Sequence, residues 1–278
     1  MTTESNIIID GPNKSPKPPE RSPWQVSKAV WYALILREFQ SLFWSRRFGA
    51  FWVLAEPIAF IAFMMILRGY IYDRSMPGVP YALWLLVGIV PFLMMRRIAI
   101  NLMGAVTSNQ ALFYYRQVKP FDTFVARTAV QITVSSVVYV LIAFFMVYFL
   151  RYAIPIYQPI QMIATLTVMV VFAFSLGVFL CLLLRALPDI APIVRLMFLP
   201  LLIISGVIFP IRVIPQPYYD WLLWNPFLHL IDMFRQYSMQ NYTPLPGVSL
   251  EYPAKCALVG LFVAVLAYRS RQYDLVTS

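Results

Sequence analysis

Ionisable residues set inside apolar runs are where this sequence can do chemistry, and they are few. Glu56-Pro57 interrupts one run, Arg96-Arg97 sits in a second, Arg195 and Arg212 lie towards the ends of a third, and His229, Asp232 and Arg235 share a short stretch. An ionisable group in hydrocarbon costs several kcal/mol unless it is paired or lies near an interface. For Glu56 two readings are open: pairing with a nearby Arg beside a helix kink at Pro57, or a part in conformational switching. Arg96-Arg97 either snorkel to headgroups or face an internal conduit, where two guanidiniums attract an anionic substrate or a lipid-linked phosphate. The chemistry on offer is ion pairing and anion recognition.

Motifs for making and breaking bonds are absent. There is no G-x-x-x-x-G-K-[ST] to cradle ATP phosphates, no G-x-S-x-G, no H-E-x-x-H and no paired-carboxylate cluster. His229 is the only histidine, open to reading as a conduit residue or as a side chain satisfied by hydrogen bonds within its segment. Cys181 and Cys256 fall near opposite ends of two different apolar runs, too far apart for a disulfide, and no Cys/His metal spacing occurs. The chain is not expected to be an enzyme or to bind a cofactor, and any energy it uses must come from another chain.

One further segment stands out. Leu112-Phe113-Tyr114-Tyr115-Arg116-Gln117-Val118-Lys119-Pro120-Phe121-Asp122-Thr123 joins two apolar runs and carries Leu, two Tyr and Phe into what should be water. Large aromatics bring buried area to interfaces, so the segment reads as a docking element. Asn109, Gln110, Leu112, Phe113, Tyr114 and Tyr115 are its contact candidates, while Arg116 and Lys119 are placed to hold the loop at anionic headgroups.

The elements that position these residues follow from composition. Hydrophobic residues make up 60% of 278, charged residues 12%, and the mean hydropathy is +0.70, far from the balance of a soluble domain. Crossing about 30 Å of hydrocarbon takes roughly 20 apolar residues in a helix. Six spans fit, over Phe48–Leu67, Tyr81–Met103, Phe121–Leu150, Ile160–Leu184, Ile190–Phe209 and Pro253–Tyr268, and none shows the alternation of a barrel strand. The fold class is an all-α integral membrane protein. Arg96-Arg97 then lie roughly 22 Å from the outer end of the second span at ~1.5 Å per residue.

Basic residues set the orientation. With both termini inside, 16 of the 22 Lys and Arg fall on the cytoplasmic side, leaving Arg68, Arg74, Arg151, Arg212, Arg235 and Lys255. The net charge of +10 is thus a topology signal, and no soluble basic face for nucleic acid is visible. Residues 1–23, with five Pro among Ser, Lys, Asn and Glu, read as a disordered cytoplasmic tail, and no cleaved leader is expected. Residues 24–47 are too polar to span. They read as an amphipathic helix along the cytoplasmic interface, with Trp24, Trp31 and Trp44 at headgroup depth, or as a helix packed on neighbouring protein.

Between the last two spans, Pro210 to Pro253 is apolar but broken by Pro215, Pro217, Pro226, Pro244 and Pro246, which forbids one continuous helix. Two short helices fit, near Tyr218–Trp224 and Phe227–Met239, dipping from the outer surface as a re-entrant pair. On the second, His229, Asp232 and Gln236 share a face. The functional reading is an outer gate over a conduit, with Tyr218, Tyr219, Trp221 and Trp224 stacking on sugar rings. A Trp and Tyr interfacial belt is the alternative.

The segment Leu112–Thr123, with Leu223-Trp224-Asn225-Pro226 and Glu56-Pro57, resembles the KpsM-like permeases of ABC-2 type capsular polysaccharide exporters of Gram-negative bacteria, over about Trp24 to Ser278. The tail of residues 1–23 is not a feature of that pattern. The resemblance implies an inner-membrane permease domain over 48–270 and a cytoplasmic C-terminus over 271–278. A coupling helix falls near 105–118 and periplasmic gate helices near 211–245. It implies a homodimer with two copies of a separate cytoplasmic ATPase, which holds ATP and Mg. Further partners are a periplasmic polysaccharide co-polymerase, an outer-membrane export channel, membrane lipids, and a lipid-linked acidic polysaccharide moved through a conduit at the dimer interface. Rival substrates within the same architecture are O-antigen, teichoic acid or a drug-like lipid. A proton-coupled carrier using Glu56 and Asp232 is a rival of another class, although no second segment matches the 210–253 region as the paired broken helices of such carriers would require.

Overall fold

The computed structural model describes residues 23–44, 49–71, 80–113, 118–152, 156–215, 218–240 and 242–271. The Pro-rich tail, Tyr114, Tyr115, Arg116 and the last seven residues lie outside them. The order is α1 (Pro23–Trp44), α2 (Gly49–Ile71), α3 (Tyr81–Met103), the short α4 (Gln110–Phe113), α5 (Pro120–Leu150), α6 (Pro159–Ala186), α7 (Ala191–Ile204), α8 (Tyr218–Leu222), α9 (Pro226–Ser238) and α10 (Glu251–Arg271). There is no strand among the described residues.

Proline punctuates the helices. Pro120, Pro159, Pro192 and Pro226 occupy the first turns of α5, α6, α7 and α9, where the missing amide would be unpaired anyway. At the start of α5 the Asp122 carboxylate accepts the Lys119 N–H at 3.0 Å. Ahead of α9 the Asn225 side chain accepts the Phe227 N–H at 3.0 Å, satisfying one of the orphan donors of the helix end.

The helix α3 is the hub. It is buried without interruption from Ala82 to Met95 and packs against α2, α5, α6, α7 and α9, as an element apolar on every side must. It approaches α6 closely: a Cβ on Gly177 would stand 2.8 Å from Leu102 Cβ and 3.1 Å from the Ala99 backbone, so only glycine lets the two helices sit so near. In turn α10 packs on α6, and α1 runs along α5.

Among the described residues four helices are long and apolar enough to cross a membrane: α3, α5, α6 and α10. The bounds of α3 are those read from the sequence, and α8 and α9 fall where two short helices were expected. The apolar stretch of α2, Phe51–Leu67, is shorter. The fifth expected span, Ile190–Phe209, is interrupted: its helix ends at Ile204, and Gly206 turns the chain with a φ of 67°. Fourteen residues reach about 21 Å, well short of the hydrocarbon thickness.

Candidate functional site

The ionisable groups that the sequence scatters are gathered by the fold. Glu56 lies on α2 seven residues from its start, and Arg96 and Arg97 lie on α3 seven and six residues from its end, so all three stand roughly 10 Å from the same end of the bundle. Arg96 Nη1 donates to Glu56 Oε1 at 3.2 Å and Arg97 Nη2 to Glu56 Oε2 at 2.6 Å. The three form a single cluster, so of the two readings open for Glu56 the structure shows the pairing with a nearby Arg, and with both members of the Arg96-Arg97 pair.

A second contact separates the two arginines. Pro57 has no N–H to give to the carbonyl four residues back, which is that of Val53. Arg97 Nη2 donates to Val53 O at 3.1 Å. The proline and the arginine are therefore complementary: one frees a carbonyl in the helix interior and the other takes it. With its side chain 17% exposed, Arg97 serves the backbone, whereas Arg96 at 37% and Glu56 at 43% are open to the surroundings.

The same end of the bundle carries the segment between α3 and α5. Asn109 is buried, its Nδ2 donating to Ala105 O at 2.8 Å and its Oδ1 accepting from Arg37 Nη2 of α1. Arg127 of α5 donates to Asn101 O at 2.7 Å and to Ser108 Oγ at 2.8 Å, and its Nε lies 3.3 Å from Glu38 Oε1 of α1. Trp31 Nε1 donates to Asp122 Oδ1 at 2.8 Å. Three polar contacts thus clamp α1 to the loop and to the start of α5.

Of the contact candidates in that loop, Gln110 is exposed and Leu112 half-buried. Phe113, read as reaching out of the loop, turns inward, is 6% exposed and joins the main apolar core. The physical reason is that an aromatic ring near apolar surface is more stable buried than in water. Tyr114 and Tyr115 lie outside the described residues.

Sequence reasoning missed Arg37, Glu38 and Arg127 as partners of this loop. A signal existed, since Arg37-Glu38 stands in an otherwise apolar part of α1 whose polar positions do not collect on one face. They do not collect because α1 is polar towards two neighbours, α5 and the loop.

At the other side of the fold, α9 is buried over most of its length, and its polar face organises the loops around it. His229 Nε2 lies 2.8 Å from Leu223 O and its Nδ1 accepts from Ser249 N at 3.1 Å, a pattern that fits the tautomer with the proton on Nε2. Asp232 accepts from Tyr242 Oη and, at 2.8 Å, from Leu245 N. Burial, with the Asp232 carboxylate beside it, pushes the Tyr242 phenol up from its ordinary value. Arg235, 2% exposed, donates to Gly206 O at 2.7 Å and Val207 O at 3.2 Å, just beyond the break in α7.

The conduit candidates therefore divide. Arg212 holds the carbonyls of Thr243 and Pro244, Tyr219 Oη holds Pro246 O, and His229 and Arg97 are likewise engaged with backbone. Trp221, 80% exposed, Trp224, 81% exposed, and Tyr218 present open aromatic surface, and Arg96 is paired with Glu56 while still partly exposed. Among the described residues no group of three or more His, Cys, Asp or Glu could hold a metal ion.

Residues 29–238 match the family model of the ABC-2 type transporter. Polysialic acid transport protein KpsM of Escherichia coli is 33% identical over 258 residues, covering 93% of this chain and 99% of that protein. The capsule polysaccharide export inner-membrane protein BexB of Haemophilus influenzae is 25% identical over 73% of this chain and 76% of its own length. CtrC of Neisseria meningitidis serogroup A, of the same description, is 24% identical over 76% of this chain and 79% of its own.

Proposed function

The chain belongs to the ABC-2 type transporter family, and from that premise we propose that it is the inner-membrane permease of an exporter of capsular polysaccharide. The observation that carries the reading is near-full-length similarity to a polysialic acid transport protein, supported by similarity to capsule polysaccharide export proteins. Family members of this kind are transport subunits, not catalysts.

The polymer is acidic and lipid-linked, and two copies of the chain enclose its conduit, since one set of helices leaves little space for a sugar polymer. A separate cytoplasmic ATPase, in two copies, binds ATP and Mg and docks on the loop between α3 and α5. The tie of Arg37 to Asn109 gives a push on that loop a direct path into α1. Six crossings place both termini in the cytoplasm: α2 and the α7 region complete the four long helices, with α8 and α9 as the outer, re-entrant gate. Trp221, Trp224 and Tyr218 offer stacking surface for sugar rings there. A periplasmic co-polymerase and an outer-membrane channel continue the route.

The test is purification under mild detergent, where an ATPase subunit should accompany the chain in equal number, combined with export in cells whose ATPase is disabled. Capsule should then fail to reach the surface. Export that continues without ATP hydrolysis would sink the reading in favour of a carrier driven by protons.

A further inference from the structure

We propose that Glu56 is an internal counter-ion occupying a phosphate site, and that a phosphate group carried at the membrane–water boundary displaces it from Arg96. The inference rests on the reading of the chain as a membrane exporter only for the depth at which the cluster lies. Two guanidiniums share one carboxylate, so the cluster keeps a net positive charge with Glu56 in place. Both Arg96 and Glu56 are more than a third exposed, so the contact between them is reachable by a ligand and screened by salt.

The two arginines are not equivalent, which makes exchange possible without unfolding. Arg97 holds Glu56 at 2.6 Å and, through the same Nη2, the Val53 carbonyl that Pro57 leaves open at 3.1 Å, so it keeps a backbone anchor that does not depend on the carboxylate. Arg96, among the described residues, has Glu56 as its hydrogen-bond acceptor. A guanidinium carries five N–H donors in a planar fork, and a phosphate oxygen pair matches that fork as a carboxylate does, with more charge. The cluster lies roughly 10 Å from the helix ends, within reach of a headgroup phosphate by an Arg stem. Sugar hydroxyls would not need two cations, so the chemistry recognised is an anion.

Two sources could present that phosphate, a bulk anionic phospholipid or the phosphate of a lipid-linked polysaccharide. The full chain, with any ATPase that accompanies it, is placed in phosphatidylcholine nanodiscs doped with phosphatidylglycerol, and the lipids it retains are counted by native mass spectrometry. Glu56→Gln should raise retained phosphatidylglycerol severalfold, Arg96→Gln should lower it severalfold, and both effects should shrink as salt rises. Unchanged retention in Glu56→Gln would overturn the proposal, because removing a competing carboxylate must favour another anion. Should Arg96→Gln fail to accumulate, Glu56→Gln alone decides, since Gln keeps the shape and hydrogen bonding of the site. A capsule export rate altered by Glu56→Gln assigns the phosphate to the cargo, and an unaltered rate with changed retention assigns it to bulk lipid. Export that proceeds without the ATPase would remove the exporter reading while leaving the lipid count standing.

Discussion

The guanidinium of Arg235 lies 3.6 Å from the centre of the Trp84 ring. It fastens α9 to α3 while its N–H groups take the carbonyls of Gly206 and Val207 beyond the end of α7. A buried cation is tolerable when it is hydrogen-bonded and stacked in this way. Room for it exists because residue 88 has no side chain: a Cβ there would stand 2.2 Å from Arg235 Nη2.

Arg235→Met should therefore destabilise the protein by about 2–4 kcal/mol, the scale of losing buried hydrogen bonds to a charged group. Gly88→Ala should cost about 1–3 kcal/mol by displacing the guanidinium. In the double variant the losses should be less than additive, because both act through one contact. Thermal unfolding of the detergent-solubilised protein measures all three, and full additivity would argue against the shared contact.

Tyr242→Phe removes the phenol that donates to Asp232 and leaves the carboxylate with the Leu245 amide. The loss should be about 1–3 kcal/mol, confined to the loop over α9 and visible as faster proteolysis there. The phenol titrates above its ordinary value in the folded chain. Its contribution is accordingly complete below the ordinary tyrosine pKa of about 10 and is lost only as pH rises through the higher folded value. A stability difference between the parent and Tyr242→Phe that is already lost as the pH rises towards about 9 would contradict this.

In the loop between α3 and α5, buried and open residues should give different defects. Phe113→Ala empties a core position and should lower stability by about 3–5 kcal/mol. Gln110→Ala with Leu112→Ser, on the more open part of the turn, should leave membrane abundance near that of the parent while reducing recovery of the ATPase. Normal recovery of the ATPase with that pair would remove α4 from the docking surface.

The clamp on α1 makes a separate prediction. Arg127→Met breaks the links to Glu38, Ser108 and the Asn101 carbonyl together. If α1 moves with the loop, this variant should retain the ATPase but export severalfold less capsule. Loss of the ATPase itself would instead mean that the clamp only shapes the docking loop.

Trp221→Ala with Trp224→Ala removes two rings that are each about four-fifths exposed. Little packing is lost, so the melting temperature should hardly change, and base-level folding is not in question. Capsule at the cell surface should fall severalfold if the rings contact sugar. An unchanged amount identifies them as an interfacial belt.

Much of the architecture was legible because hydropathy and proline act locally. Apolar runs of helix length punctuated by Gly or Pro set most helix bounds locally, so the sequence bounds of Tyr81–Met103 match to the residue and those of the pair between Pro215 and Pro244 within a residue or two. The fifth run misled for the complementary reason. Ile190–Phe209 is apolar throughout, yet its helix stops at Ile204, and the carbonyls beyond are taken by Arg235, about thirty positions later in the chain. No window of local sequence contains that donor.

By itself the sequence determined that the chain is helical and built for a membrane, where its breaks fall, and which few polar groups must find partners. Only the tertiary structure decided which partners they find. It joined Glu56 to both Arg96 and Arg97, gave Arg97 to the carbonyl freed by Pro57, turned Phe113 inward and set Arg37 against Asn109. Hydropathy says only that a buried charge must be paired. Distance across the bundle, fixed when α2 and α5 pack on α3 and α1 packs on α5, says with what.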